Sequence, residues 1–284
     1  TSQWYPFSHN AGFEFKGNLL THIDRWPKDS ITDDLKASKK ALIAYEIDAA
    51  DNGYSYTYPM MARTLRSTGF QFAAMFSYDP LGIGNSNWEY RTHYVNMAYI
   101  PQKALGLKIA GEVFHKIPRN TSFGAYPADT VFDCFRVSHS GNLAEMATDE
   151  KFMYTNSTQT VPPNPTKLNE IAGYGSSKVV KYEGRGIYFL DKLEDGIWRL
   201  EVMPDATWVG DPFSNPTLEN EVSAIVWNTW PMTIDLPDLG NAFELSGINQ
   251  GNMTKLKTNN KEIVVYPGTY LLIKNGLKSK WNPD

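Results

Sequence analysis

Three carboxylates, Glu46, Asp48 and Asp51, lie close together at the end of an apolar run that covers residues 41–45. Turn residues come directly after them. A short apolar run bounded by turn residues is typical of a strand that is buried on both faces. A carboxylate at the end of such a strand is costly to bury unless it is hydrogen-bonded or has a chemical role. Glu46 is therefore the first candidate for a catalytic residue.

Paired carboxyl groups are the groups that retaining glycoside hydrolysis uses, and this is the reaction that a family resemblance described below implies for Glu46. Retaining hydrolysis uses two carboxyl groups about 5 to 5.5 Å apart, one as nucleophile and one as acid/base. A strand end holds such a group more firmly than a loop does. The alternative is a structural glutamate that pairs with Lys16 or Arg63. Asp48 could hydrogen-bond sugar hydroxyls, whereas Asp51 is expected to cap a turn. We expect no metal, because the other ligands of a calcium loop are missing.

Other polar residues are weaker candidates. Asn18, His22 and Asp24 lie in a loop-rich segment, where they could contact a sugar or simply be solvated. His93 could pair with Glu89 on the surface of a helix, because residues four apart share a helix face. The single cysteine, Cys134, lies in an alternating run and is expected to be a buried thiol rather than a nucleophile. One cysteine excludes an intramolecular disulfide.

The N-terminal and C-terminal parts of the chain differ in the elements that their sequence patterns predict. In the N-terminal part the patterns predict alternating strands and helices, at residues 41–47, 58–67, 70–76, 88–98 and 102–114, with a short helix at 32–38. This alternation is an α/β signature. Residues 118–127 contain the turn residues of a linker. We therefore predict one domain at 1–118 and a second at 119–284.

The second part predicts an antiparallel β-sandwich, because short alternating runs are separated by turn residues. These runs lie at residues 131–137, 151–154, 178–182, 186–190, 196–203, 222–227, 232–236, 262–265 and 270–273. Trp198, Trp208, Trp227 and Trp230 lie in this part. Exposed aromatic rings are suited to binding sugars, but they also fill ordinary cores.

Composition excludes several classes of function. The chain has 284 residues, of which 42% are hydrophobic, and a net charge of −4. It has no basic surface for nucleic acid, and no apolar run approaches the roughly 20 residues of a membrane span. The run Gly82-Ile83-Gly84 is not a dinucleotide fingerprint, so no cofactor is expected. Neither an initiator Met nor a signal peptide is visible at Thr1, so we expect a piece of a longer protein.

Residues 41–51 and 71–80 resemble the end of barrel-type glycoside hydrolases, the large bacterial enzymes that degrade polysaccharides with a retaining (β/α)8 barrel. The resemblance implies that Glu46 is the nucleophile at the end of the seventh strand. It also implies that Tyr78 and Asp79 line the sugar site after the eighth strand. Such enzymes often carry accessory β-sandwich domains, and residues 266–273 are similar to the closing strand of one.

The resemblance implies a fold class of α/β plus all-β, with the last strand-helix units of a TIM-type barrel followed by an antiparallel β-sandwich. It implies a secreted or periplasmic hydrolase with a carbohydrate substrate. The acid/base has no counterpart here, and Phe76 and Tyr78 stand in place of the usual tryptophan. The missing N-terminal part of the barrel would supply the acid/base, from the same or a separate chain. The alternatives are a non-catalytic carbohydrate-binding or adhesion module and a purely architectural piece.

Overall fold

A computed structural model of the chain describes residues 2–6, 14–24, 40–88 and 93–281. The chain divides into two compact units, each built from two separate stretches of sequence. Unit 1 comprises Thr1–Ala144 and Trp208–Ala224, and unit 2 comprises Glu145–Thr207 and Ile225–Asp284. The domain ranges 1–118 and 119–284 remain a separate prediction.

Unit 1 contains a three-stranded parallel sheet with the order β1-β2-β3. The strands are β1 (Ser2–Trp4), β2 (Leu42–Ile47) and β3 (Phe70–Met75). Backbone pairing continues one residue past the strands, because the N–H of Asp48 donates to Trp4 and that of Phe76 donates to Ile47. The carboxyl ends of the three strands therefore meet at one edge of the sheet.

Three α-helices lie in the described part of unit 1: α1 (Leu20–Ile23), α2 (Thr57–Ser67) and α3 (Pro101–Lys116). Helix α2 connects β2 to β3, as parallel strands require a crossover. Helix α3 begins at Pro101, whose fixed φ suits a first helical turn. The two longer helices pack against each other. No helix in the described part of the chain has both the length and the apolar character to cross a bilayer.

Two buried arginines connect α2 to the chain around it. Arg66 donates to the backbone carbonyls of Ile117 (2.7 Å) and Phe70 (2.9 Å). Arg63 donates to the carbonyl of Gly124 (2.8 Å), and its guanidinium lies 4.0 Å from the ring centre of Tyr126. Arg63 is thus held by carbonyls and an aromatic ring, and its described contacts do not include Glu46.

The remaining strands begin with β4 (Val131–Phe132) and β5 (Phe135–Ser138), which form a hairpin in unit 1. The others are β6 (Leu143–Ala147), β7 (Lys151–Tyr154), β8 (Glu170–Gly173), β9 (Val180–Tyr182), β10 (Tyr188–Glu194), β11 (Ile197–Val202), β12 (Asp205–Trp208), β13 (Ser223–Val226), β14 (Trp230–Ile234), β15 (Phe243–Gly247), β16 (Lys255–Thr258), β17 (Glu262–Val265) and β18 (Gly268–Lys274).

Unit 2 contains a large mixed sheet, in which the strand order is β16-β15-β18-β11-β10-β8-β7-β6. A second sheet has the order β17-β14-β9. The core of unit 2 includes large aromatic side chains that are fully buried, among them Phe152, Tyr154, Tyr188, Trp198 and Tyr270. The indole N–H of Trp198 donates to Asp238 (2.8 Å). Trp198 is therefore a core residue and cannot stack on a ligand.

The predicted fold class is wrong. The described residues are mostly β, with 32% strand and 13% helix, and the chain is not a remnant of a TIM-type barrel. The β2-α2-β3 unit exists, but strand-helix-strand units also occur in open sheets and do not by themselves specify a barrel. The large sheet is not purely antiparallel either, because β7 and β8 are parallel. The long connection 155–169 between them allows the chain to return in the same direction.

Two further element predictions need correction or lie outside the described residues. Residues 93–98 form no helix in the structure, although the predicted helix covered 88–98. The predicted helix at 32–38 lies outside the described residues.

Cys134 does not lie within a strand. It lies in the β4–β5 turn and is half-buried there. Burial raises the pKa of its thiol to about 11, so the thiolate needed for nucleophilic attack is scarce at neutral pH.

Candidate active site

The candidate site lies at the carboxyl edge of β1-β2-β3. Tyr5, Asp48 and Phe76 are the residues that directly follow the three strands. In open sheets of parallel strands, ligands bind outside the carboxyl ends of the strands. The continued backbone pairing of Asp48 and Phe76 fixes where their side chains begin.

Glu46 lies one residue before the end of β2 and opposite Gln3 of β1. Its carboxylate accepts hydrogen bonds from the side-chain amide of Gln3 (2.5 Å) and from the hydroxyl of Tyr5. The side chain is half-buried. Burial, together with the hydrogen bond and the charge of Glu46, raises the pKa of Tyr5 well above its usual range. The Tyr5 hydroxyl therefore stays protonated and donates to the carboxylate.

Asp48 is enclosed by donors. Its carboxylate accepts from the hydroxyl of Tyr58 (2.6 Å) and the backbone N–H of Ala49 (2.6 Å), and it bonds to Nδ1 of His93. The ammonium of Lys103 is 3.6 Å away. Burial alone would raise the pKa of Asp48, but the charge of Lys103 and the bonds from His93 and Tyr58 lower it below its usual value. Asp48 is thus an ionised group at 1% exposure, and its role as a sugar contact stays a prediction.

His93 forms a cluster with two aromatic rings at the same edge. Its ring centre is 5.2 Å from that of Tyr5 and 5.3 Å from that of Phe76, both edge-on. The centres of Tyr5 and Phe76 are 5.9 Å apart. A carboxylate at Nδ1 favours a proton on that nitrogen, so Asp48 sets the tautomer and orientation of His93. Two aromatic rings therefore pack against a histidine whose orientation is fixed by a buried carboxylate.

Asp51 is a second buried carboxylate, at 0% exposure. One of its oxygens accepts from the backbone N–H of Tyr54 (2.8 Å), and the other has no hydrogen-bond partner among the described residues. Burial raises the pKa of Asp51 to about 6, although the charge of Lys103 acts in the opposite direction. Lys103 is itself 1% exposed. Its ammonium pairs with Asp48 at 3.6 Å and its charge also acts on Asp51.

Tyr78 and Asp79, the predicted sugar contacts after β3, support a neighbouring segment. The hydroxyl of Tyr78 accepts from the backbone N–H of Met97 (2.9 Å), and its side chain is 48% exposed. Asp79 is fully buried, and its carboxylate accepts from the backbone N–H of Val95 (2.9 Å). Asp79 therefore holds the chain that follows His93, whereas Tyr78 remains accessible.

The three predicted loop candidates have their described contacts elsewhere. Asn18 accepts hydrogen bonds from the first residues of α1 and so begins that helix. Asp24 accepts from the backbone N–H of Tyr126 (2.6 Å). His22 is exposed and packs edge-on against Phe15, with ring centres 5.5 Å apart. The described contacts of these three residues involve neither Glu46 nor Asp48.

Sequence reasoning missed Tyr5 and Lys103 and assigned His93 to a helix surface. Strand β1 is three residues long, which is too short to show a period. Lys103 follows Pro101 in a helix whose apolar stripe suggested an ordinary core face. The partner of His93 is Asp48, which is distant in sequence, so no local spacing could reveal it. Glu89, the partner considered from the sequence, lies outside the described residues.

The edge of the β1-β2-β3 sheet thus places an ionised carboxylate beside aromatic rings and a histidine. Such a site suits a polar ligand that also has apolar faces. Among the described residues, no three His, Cys, Asp or Glu side chains are close enough to hold a metal ion. No protein-family model, curated protein or solved structure gives a significant match to this chain. The chemistry of the site therefore has to be inferred from its own geometry.

Proposed function

We propose that this chain is a glycoside hydrolase that cleaves a polysaccharide or oligosaccharide with retention of configuration. Glu46 is the nucleophile in this proposal. The observation that supports it is the half-buried Glu46 carboxylate at the end of β2, held by Gln3 and Tyr5. A donor on β1 and a second donor directly after that strand orient the carboxylate toward one reacting centre. Polysaccharides are encountered outside the cytoplasm, so a secreted or periplasmic location is part of the proposal.

In the first step the Glu46 carboxylate attacks the anomeric carbon and the glycosidic bond breaks, and in the second step water releases the sugar. The departing oxygen needs a proton from a second carboxyl group. Asp48 does not suit that task, because its pKa is lowered and its oxygens are occupied. Asp51 has a raised pKa but is fully buried. The proposal therefore leaves the acid/base unassigned within the described residues.

Covalent labelling tests the nucleophile without requiring the acid/base residue. A 2-deoxy-2-fluoro glycoside with a dinitrophenolate leaving group needs no proton for departure, and the sugar stays on the nucleophile. The full chain is incubated with gluco-, galacto-, manno- and xylo-configured reagents and mapped by peptide mass spectrometry. We expect one reagent to label the peptide that contains Glu46.

The matched control is Glu46→Gln, which keeps the size of the side chain and removes the nucleophile. Its folding is checked by circular dichroism. Labelling of the wild type that disappears in Glu46→Gln supports the proposal. A label that persists in the folded variant, or no label from any reagent, contradicts it.

A second candidate function is carbohydrate binding without catalysis, and one observation in unit 2 favours it. Trp227 and Tyr266 are 58% and 47% exposed, with ring centres 5.7 Å apart and planes inclined by 31°. The buried Tyr270 hydroxyl bonds to both the N–H (3.1 Å) and the carbonyl of Tyr266. A surface pair of rings on a fixed backbone can stack on a sugar.

Affinity electrophoresis through gels that contain soluble polysaccharides tests this candidate. Wild-type protein should be retarded by at least one polysaccharide, and Trp227→Ala with Tyr266→Ala should migrate freely. Equal retardation of wild type and double variant would contradict a role for this surface. The labelling experiment at Glu46 is independent of that result, so the two candidate functions can be separated.

A further inference from the structure

A pocket in unit 1 carries an inference that does not depend on Glu46. It has a volume of about 610 Å³, within the usual range for ligand sites of about 300–1,000 Å³. Its lining consists of two carboxylates, an amide, an indole and a turn: Glu14, Asn52, Gly53, Trp208, Asp211, Pro212 and Phe213. These residues come from three separate segments of the chain, so the pocket is a product of the tertiary fold.

The wall formed by residues 211–213 is held in place by buried groups. The carbonyl of Pro212 accepts from the side-chain amides of Asn52 (3.0 Å) and Asn87 (2.9 Å). Both asparagines are buried, at 4% and 2% exposure. Asp211 accepts from the backbone N–H of Phe213 (2.9 Å), which closes the turn. The pocket is therefore preformed, and a ligand would not have to order this wall.

Trp208 offers an aromatic surface to this pocket. Its side chain is 46% exposed, and its ring centre lies 6.0 Å from that of buried Tyr94. Tyr94 in turn donates from its hydroxyl to the carbonyl of Gly84. The indole is thus backed by the core of unit 1 while much of it remains accessible. A supported, exposed indole is suited to stacking on the apolar face of a pyranose ring.

The charges of the lining narrow the class of ligand. Among the described residues that line the pocket, Glu14 and Asp211 are acidic and none is basic. Two carboxylates disfavour phosphate, sulfate or acidic sugars by like-charge repulsion. Carboxylate and amide groups exchange hydrogen bonds with hydroxyls. We propose that this pocket binds a neutral saccharide, which stacks on Trp208 and hydrogen-bonds to Asp211 and Glu14.

The test is isothermal titration of the full chain with neutral oligosaccharides: cellopentaose, xylopentaose, mannopentaose and laminaripentaose. Wild-type protein should bind at least one of them. Trp208→Ala should lower the affinity about tenfold or more, as expected for a central aromatic contact. The matched control is Trp281→Ala, because Trp281 is also 46% exposed but does not line the pocket. Trp281→Ala should bind as the wild type does.

A second variant keeps the proposal testable if Trp208→Ala does not fold. Gly53 lines the pocket, and a Cβ at this position would meet only the Asp51 carboxylate at an ordinary 3.9 Å. Gly53→Leu should narrow the pocket and weaken binding about tenfold, and its folding is checked by circular dichroism. Full affinity in folded Gly53→Leu and folded Trp208→Ala would overturn the proposal, as would the absence of binding by all four sugars.

Spermidine distinguishes a cationic ligand from a saccharide, because an indole with carboxylates can also bind amines. Glu14→Gln is the informative variant, since Glu14 is exposed and its described ion pair with Lys16 spans 3.6 Å. Glutamine still hydrogen-bonds to hydroxyls but carries no charge, so Glu14→Gln should weaken spermidine binding far more than it weakens saccharide binding. The proposal would be overturned if the wild-type chain bound spermidine but no saccharide, and if Glu14→Gln no longer bound spermidine.

Discussion

Two buried aspartates near the end of β2 have opposite pKa shifts, although both interact with the charge of Lys103. Asp48 has an ammonium at 3.6 Å and donors from Tyr58 and His93. Among the described residues, Asp51 has only the backbone donors of Tyr54 and Gly53, so burial dominates and its pKa is raised. Both carboxylates are buried, so it is the close charge of Lys103 together with the donors from His93 and Tyr58 that keeps Asp48 ionised. This contrast makes Asp48 a permanent negative charge next to His93.

The raised pKa of Asp51 predicts that the free energy of unfolding depends on pH. Its pKa rises from 3.8 to about 6 on folding, so between these values the folded protein keeps a proton that the unfolded chain releases. Stability therefore falls as pH rises from about 4 to about 6, by up to about 3 kcal/mol, and is then level. Asp51→Asn should remove this slope and raise the free energy of unfolding near pH 7 by about 1–3 kcal/mol. Urea unfolding curves at several pH values measure both effects.

Asp48→Asn is the matched comparison and should act in the opposite direction. The change leaves the buried Lys103 ammonium without its close counter-charge and should cost about 3–5 kcal/mol near pH 7. Because the pKa of Asp48 is lowered, its contribution is present above its ordinary pKa and is lost only as pH falls below about 4. A destabilised Asp51→Asn protein near pH 7 would contradict the assignment of Asp51 as the uncompensated group.

At the scale of elements, α2 and α3 hold the sheet edge by close backbone contact. Gly106 of α3 faces the carbonyl of Ser55, just before α2, and a Cβ there would collide with that oxygen. Ser55 in turn donates from its hydroxyl to the carbonyl of Asn142 (2.6 Å) and cannot simply move aside. Lys103, the partner of Asp48, lies one turn earlier on the same helix. The position of this helix therefore determines the charge at the site.

Gly106→Ala should destabilise the protein by about 1–3 kcal/mol, because overpacking forces the backbone to shift. Gly111→Ala is the matched control on the same helix, since a Cβ there has no neighbour within 4 Å. It should stabilise by about 0.5–1 kcal/mol through helix propensity. Thermal unfolding of both variants measures the difference. Equal effects of the two substitutions would show that α3 does not pack as described.

Local sequence patterns predicted the bounds of several helices and strands correctly, but they did not show which elements pack together. The predicted helix at 58–67 corresponds to Thr57–Ser67, and the predicted strand at 41–47 to Leu42–Ile47. The predicted helix at 88–98 fails over 93–98, where Asp79 instead engages the backbone of Val95. Helix-forming residues there are overridden by a buried carboxylate that needs backbone donors.

At the scale of the whole molecule, each unit is assembled from two separated stretches of chain. In unit 2 the stretches 145–207 and 225–284 share one sheet, because β11 pairs with β18 from Ile197↔Ile273 to Val202↔Gly268. Strand β9 likewise pairs with β14 of the other stretch. Between these stretches, residues 208–224 belong to unit 1 and carry Trp208 of the proposed saccharide pocket.

Cutting the chain within 208–224 should therefore not separate its two pieces. A protease recognition sequence inserted between Leu218 and Glu219 lies in an exposed turn. After cleavage, the pieces should elute together from a size-exclusion column, because β11 and β18 remain paired. They should separate in concentrated guanidinium chloride. Separation of the cut protein in ordinary buffer would contradict the shared sheet.

The amino-acid sequence by itself was enough to place several strands and helices and to select Glu46 as a strand-end carboxylate. Periodicity, turn residues and helix-starting proline are properties of neighbouring residues, so they can be read without a fold. The carbohydrate chemistry proposed for Glu46 came from the resemblance of residues 41–51 and 71–80 to a family of glycoside hydrolases. The same local patterns suggested a barrel, because a single β-α-β unit occurs in several architectures.

Only the tertiary structure brought Tyr5 to Glu46, His93 to Asp48, and Trp208 beside Asn52. These contacts join segments that are far apart in the chain and leave no periodic signal in it. Pairing partners in a sheet are chosen by long-range burial and register, which is why the mixed sheet and the divided units escaped prediction. The ionisation of Asp48 and Asp51 was decided in the same way, by donors and burial supplied from other elements.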